Sequence, residues 1–138
     1  MTTVMHNAMP SLDFVIVNPG GFRTTWVPGI IQYQHFYNMF PFDNMLMSFE
    51  ISGKELLDML TLIQNGDKGF YHTWGIQQVV TFNTTNNKTG FVSAKWANGS
   101  NIEQDVVYRG VTSDFLLNGG DDFVKVIGKV YKPRNVRN

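Results

Sequence analysis

No cysteine occurs among the 138 residues, which excludes disulfides, thiolate chemistry and cysteine zinc sites and leaves the redox compartment open. Net charge is missing as well, since 11 Lys and Arg balance 11 Asp and Glu. A chain of zero net charge lacks the footprint of a dedicated nucleic-acid or anionic-membrane binder, so an anionic ligand has to be held by local geometry. There is no run of about 18 apolar residues, and the opening "MTTVMHNAMPS" has neither a basic segment nor an apolar stretch of the kind a signal peptide needs. The expectation is a soluble chain with no membrane segment and no visible export signal. Repeats, low-complexity tracts and linkers are absent too.

What is present is a large apolar fraction, 43%, with 14% aromatic residues. That suffices for a sizeable core without metal or disulfide support, and one domain over residues 1–138 is expected. "DFVIVN" at 13–18 is a continuous apolar run and reads as a buried strand. "IQYQHFYNMF" reads as a short helix ended by Pro41, because proline disfavours helical geometry in the residue before it. "NMLMSFEIS" alternates and reads as a strand. "SGKELLDMLTLIQNG" is the best helix: Ser52 and Glu55 form an S-x-x-E capping box, Leu56, Leu57, Leu60 and Ile63 recur near a 3.6-residue period, and Asn65-Gly66 supplies the stop. Strands follow from Gly75, Gly90 and Asp105, and Asn98-Gly99 gives a hairpin signal. "DDFVKVIGKVYKP" reads as a short helix or a last strand, and "KPRNVRN" as a frayed tail. The sum is an α+β domain with a mixed or antiparallel sheet and a few helices.

His6, His35 and His72 fall in no metal-ligand spacing, and no G-x-S-x-G, P-loop or Rossmann fingerprint occurs. Acid pairs such as Asp121 with Asp122, or Asp13 with Asp43, are not placed across a substrate by sequence separation alone. The chain has no obvious catalytic engine. Four loop stretches stand out instead: "NPGGFR" at 18–23, "FPFDN" at 40–44, "GFYHTWG" at 69–75 and "SDFLLNGGDDF" at 113–123. Each sets an aromatic residue or a charge beside glycine or proline, and loops held by rigid elements are where binding residues collect. Composition alone favours the plainer reading, in which Phe42 and Phe115 are core residues and the glycines only make turns.

The order and spacing of "NPGGFR", "FPFDN", "FEISGKELLDML", "GFYHTWGI" and "FLLNGGDDF" resemble the C-terminal, substrate-binding domain of the 5'-nucleotidase and UDP-sugar hydrolase family, over residues 12–127, with 1–11 and 128–138 as terminal extensions. The opening residues would then be the end of the helix preceding the first strand. The resemblance implies that Asn18 contacts a nucleobase and Arg23 binds phosphate. It implies that Phe42 and Phe115 clamp the base, and that Asp121 accepts hydrogen bonds from the ribose hydroxyls while Gly119 and Gly120 let backbone approach the sugar. An amide, a forked guanidinium and a carboxylate suit these roles chemically. The implied ligand is a nucleoside 5'-monophosphate or related nucleotide, the implied partner an N-terminal metallophosphoesterase domain. Two divalent metal ions are expected in that domain and no cofactor in this one. Pro19 departs from the family's N-G-G-G-[IV]-R, removing a backbone N–H and fixing φ at that step.

The alternative is a non-catalytic extracellular structural or protein-interaction domain derived from the same fold. N-x-[ST] sequons at Asn83, Asn87 and Asn98 mark possible N-glycosylation sites. With the family resemblance, they point to an extracellular, cell-surface or periplasmic location.

Overall fold

A computed structural model describes residues 1–67, 69–124, 128 and 134–137. The architecture is the expected α+β: a mixed five-stranded sheet, a separate two-stranded hairpin and, among the described residues, four α-helices. Strand β1 (Phe14–Val17) is buried at all four positions, and this is why its sequence is continuously apolar rather than alternating. Phe14 and Ile16 enter the larger core, whereas Val15 and Val17 enter a second core on the other face. Helix α1 (Thr2–Ala8) covers that second face through Met5, and Leu12 joins it from the connection. The first eleven residues therefore contribute to the core.

The larger core is closed by helix α3 (Gly53–Gln64), which presents Leu56, Met59, Leu60 and Ile63. Its predicted capping box is formed: the Glu55 N–H donates to Ser52 Oγ at 3.3 Å and the Ser52 N–H to Glu55 Oε2 at 2.9 Å. Burial pushes the Glu55 carboxyl up, but the Ser52 hydrogen bonds and Arg134, at 2.6 Å, outweigh it and hold the carboxyl below the usual 4.5. At the other end of α3, fully buried Gln64 donates to the Tyr71 carbonyl at 2.9 Å and accepts from the Tyr71 N–H at 3.0 Å. That pair of bonds fixes the run into strand β3 (His72–Trp74).

Strands β2 (Leu46–Ser52), β6 (Val107–Ser113) and β7 (Arg134–Arg137) complete the sheet in the order β3, β1, β6, β2, β7. Among the described residues, only the β1 and β6 pair is parallel. Gly110 lies in β6 where a Cβ would stand 2.4 Å from the Phe14 ring and 2.8 Å from that of Phe49, so these two edge-to-face rings close over a position that only glycine can fill. Strands β4 (Ile76–Asn83) and β5 (Lys88–Trp96) form the hairpin.

Two expectations change. Asn98-Gly99 closes a tight turn after β5, with Trp96 N–H bonded to the Ser100 carbonyl at 3.0 Å, but the strands on either side belong to different sheets. The β4 to β5 hairpin turns at residues 84–87 instead, with Asn87 at φ 53°. The tail read as frayed holds β7, which pairs antiparallel with β2 and sets Asn135 Nδ2 2.6 Å from Glu50 Oε2. Much of "DDFVKVIGKVYKP" falls at residues 125–127 and 129–133, outside the described residues.

Candidate functional site

The strand directions gather all four unusual loops at one edge of the sheet. Because β1 and β6 run parallel, the loops leaving them emerge together, and antiparallel pairing brings the entries to β2 and β3 to the same edge. Leu46 faces Ser113 and His72 faces Val17 in register. The resulting cavity, about 130 Å³, is lined by Asn18, Gly20, Gly21, Arg23, Phe42, Asn44, Phe115 and Asp121.

"NPGGFR" forms a 3-10 turn over Pro19–Gly21 with Asn18 as its N-cap. Pro19 occupies the first turn position, where a missing N–H costs nothing and a fixed φ is suited. Neither Gly20 nor Gly21 has positive φ. Gly20 matters through its lack of a side chain: a Cβ there would stand 3.4 Å from Asn18 Nδ2 and 3.9 Å from Asp121 Oδ2. Those two groups are bonded, Asn18 Nδ2 donating to Asp121 Oδ2 at 2.5 Å across 103 residues of sequence. The amide expected at the base end of a ligand is thus engaged with the carboxylate expected at the ribose, and its oxygen stays available to a ligand donor.

Asp121 sits at φ 53° beside Gly119 at φ 101°, and left-handed backbone at both steps turns the carboxylate back over the loop. Nothing lies within 4 Å of a Cβ built on Gly119, so that glycine answers to φ alone. At Gly120 a Cβ would meet the Phe115 ring at 2.5 Å. The second glycine seats the ring. Burial pushes the Tyr71 hydroxyl up to about 12, and the negative charge of Asp121 adds to the shift.

Phe42 and Phe115 are 46% and 44% exposed, so they are not core residues. Phe115 follows Ser113, the N-cap of helix α4 (Asp114–Leu117), and Asp114 Oδ1 accepts the Met45 N–H at 3.0 Å, joining the loop that carries Phe42 to the one that carries Phe115. The Arg23 N–H donates to the Met39 carbonyl at 3.1 Å, which ties the first loop to helix α2 (Tyr33–Met39). The Arg23 guanidinium carbon lies 5.2 Å from the Phe42 ring centroid.

Of the expected site residues, Asn18, Arg23, Phe42, Phe115 and Asp121 line one cavity, while Gly119 and Gly120 stand behind it. Gly20, Gly21 and Asn44 line it without having been expected to; the two glycines stand in "NPGGFR" and Asn44 is the last residue of "FPFDN". A second, more apolar cavity of about 450 Å³ adjoins this one, sharing Asn18, Gly21, Phe42 and Asn44 and running to Val4, Met5, Val17 and Phe40. Three of the other polar candidates have structural partners. Asp13 Oδ2 accepts the Arg109 N–H at 2.8 Å, His35 Nδ1 accepts the Gln32 N–H in a capping box, and His6 stacks on Trp74. Asn83, Asn87 and Asn98 are exposed on the β4 to β5 turn and the turn after β5. Among the described residues no three His, Asp or Glu side chains come together as a metal site would require. No described helix is long and apolar enough to cross a membrane.

Comparison with known proteins gives a consistent result. The family profile "5'-nucleotidase, C-terminal domain" matches residues 1–128. The chain is 29% identical over 131 residues to a 5'-nucleotidase of Vibrio vulnificus, covering 93% of this chain and 22% of that protein. It is 30% identical over 112 residues to endonuclease YhcR of Bacillus subtilis, covering 75% of this chain and 8% of that one. Among solved structures, the NAD nucleotidase of Haemophilus influenzae superposes with a TM-score of 0.72 at 25% identity, over 95% of this chain and 25% of the other. The chain thus spans about a fifth or less of the length of these curated relatives.

Proposed function

The chain belongs to the family of 5'-nucleotidase C-terminal domains, and on that premise we propose that its cradle recognises a nucleoside 5'-monophosphate or a related nucleotide. The observation that carries this reading is the convergence of Asn18, Arg23, Phe42, Phe115 and Asp121 on one cavity from three loops, with Asn18 and Asp121 separated by 103 residues. Phe42 and Phe115 stack on the base, each worth roughly 1–3 kcal/mol and tolerant of base identity because every base has a π-face. Asp121, oriented by the Asn18 amide, accepts from the ribose hydroxyls. Arg23 takes the phosphate, where a guanidinium forms strong charge-assisted bonds.

Recognition is the whole of this domain's part. Hydrolysis falls to a metallophosphoesterase domain with two divalent metal ions, outside the 138 residues. The relatives named as a 5'-nucleotidase, an endonuclease and an NAD nucleotidase all extend far beyond the part that this chain matches, which leaves room in them for a separate catalytic domain. An extracellular, cell-surface or periplasmic site agrees with the exposed sequons. Calorimetric titration with AMP, adenosine and UMP tests the reading: AMP is expected to bind, and Phe42→Ala to weaken it about 5- to 150-fold. No heat at millimolar ligand, or an unchanged affinity in the variant, sinks it.

A second reading, an interaction module without catalysis, is favoured by the exposed Trp26, Val27, Ile30, Ile31, Tyr33 and Tyr37 around α2. Self-association or partner capture that survives loss of Phe42 and Phe115 would distinguish it.

A further inference from the structure

Arg23 and Phe42 line the same cavity, and the guanidinium carbon lies over the Phe42 ring, 5.2 Å from its centroid. No carboxylate among the described residues pairs with Arg23. Its backbone is anchored by the N–H bond to the Met39 carbonyl, so the side chain can swing without moving the loop.

We propose that Arg23 sets the selectivity of this site for nucleotides over nucleosides by moving between two positions: on Phe42 when the cradle is empty, and on the phosphate when a nucleotide enters. The inference rests on the nucleotide reading above. A nucleoside must displace the guanidinium from the ring and offers it nothing in return. A nucleotide displaces it and supplies a phosphate, so one side chain penalises the first ligand and rewards the second. An exposed cation–π contact corresponds to a penalty of about two- to fivefold in affinity, and a charge-assisted bond to a reward of about tenfold or more.

Titration of adenosine and AMP into the wild-type chain, Arg23→Ala, Phe42→Ala and the double variant tests this. Arg23→Ala should bind adenosine about two- to fivefold more tightly and AMP at least about tenfold more weakly, and the gain for adenosine should vanish when Phe42 is also Ala. In the ligand-free protein, the Arg23 Nε–H resonance should carry a ring-current shift that Phe42→Ala abolishes. If AMP binds and depends on Phe42, yet Arg23→Ala leaves adenosine unchanged or weaker, or the ring-current shift is absent, Arg23 is a phosphate ligand only and the proposal is wrong. If neither ligand binds the wild type, the nucleotide reading fails first and takes this inference with it.

Discussion

Replacing Gly120 by Ala sets a methyl carbon against Phe115, 2.5 Å from Cε1 and Cζ and 2.6 Å from Cδ1, where ordinary contact begins near 3.4 Å. The ring therefore has to withdraw by roughly 1 Å, about the difference between an overlap and a contact. It can do so, because it is 44% exposed. Stability should change little: an off-rotamer ring costs about 0.5–1.5 kcal/mol, and Gly120 lacks the positive φ that would strain an alanine, so the usual Gly→Ala gain of about 0.4–1 kcal/mol offsets part of it. Binding should suffer more. A displaced ring loses its stacking, roughly 1–3 kcal/mol or about 5- to 150-fold in the AMP dissociation constant. Calorimetry on Gly120→Ala, Phe115→Ala and the double variant isolates the cause. If the methyl acts by moving the ring, Gly120→Ala costs almost nothing once Phe115 is already Ala. An additive double variant would refute the reasoning, for it would mean that Gly120 serves Asp121 or the sugar directly.

Three further outcomes follow from the core. Gly110→Ala should destabilise by at least about 1–3 kcal/mol through overpacking between Phe14 and Phe49, seen as a fall in the denaturant midpoint; an unchanged midpoint means that the rings yield. Thr112→Val should raise the melting temperature, because the buried Thr112 hydroxyl has no hydrogen-bond partner among the described residues and an isosteric methyl removes an unmade bond costing about 1–3 kcal/mol. Alkali should weaken the fold between pH 10 and 12. The unfolded Tyr71 hydroxyl ionises near 10.0 while the folded one holds its proton to about 12, so the stability present below pH 10 is lost as pH climbs through that window. The loss is on the order of 2 kcal/mol, less where water reaches the oxygen. Denaturant titrations at several pH values should show a slope that Tyr71→Phe flattens.

Features set by neighbours in sequence were legible before the fold was known. The capping box at Ser52 and Glu55 needs one turn of chain, and the continuous run in β1 announces a strand covered on both faces. The motifs that hold Asn18, Arg23, Phe42, Phe115 and Asp121, which line one cavity, were legible through their order. Their mutual contacts were not: the Asn18 to Asp121 bond joins residues 103 apart, and the seat of Phe115 on Gly120 depends on how a loop closes. The last strand was hidden for another reason. "RNVR" is short, polar and exposed at every position, and an edge strand of this kind carries no alternation to read. Asn98-Gly99 shows the converse, since its turn chemistry was correct and only the fate of the following chain differed.

The parallel pairing of β1 with β6 also has a kinetic meaning. Asp13 and Arg109, bonded beside that pair, are 96 residues apart, so most of the chain must be looped out before the two strands meet, and such closures are entropically late events in folding. The cradle is built on that closure and cannot exist before it. A bound nucleotide would then act on one rate only, slowing unfolding while leaving refolding unchanged.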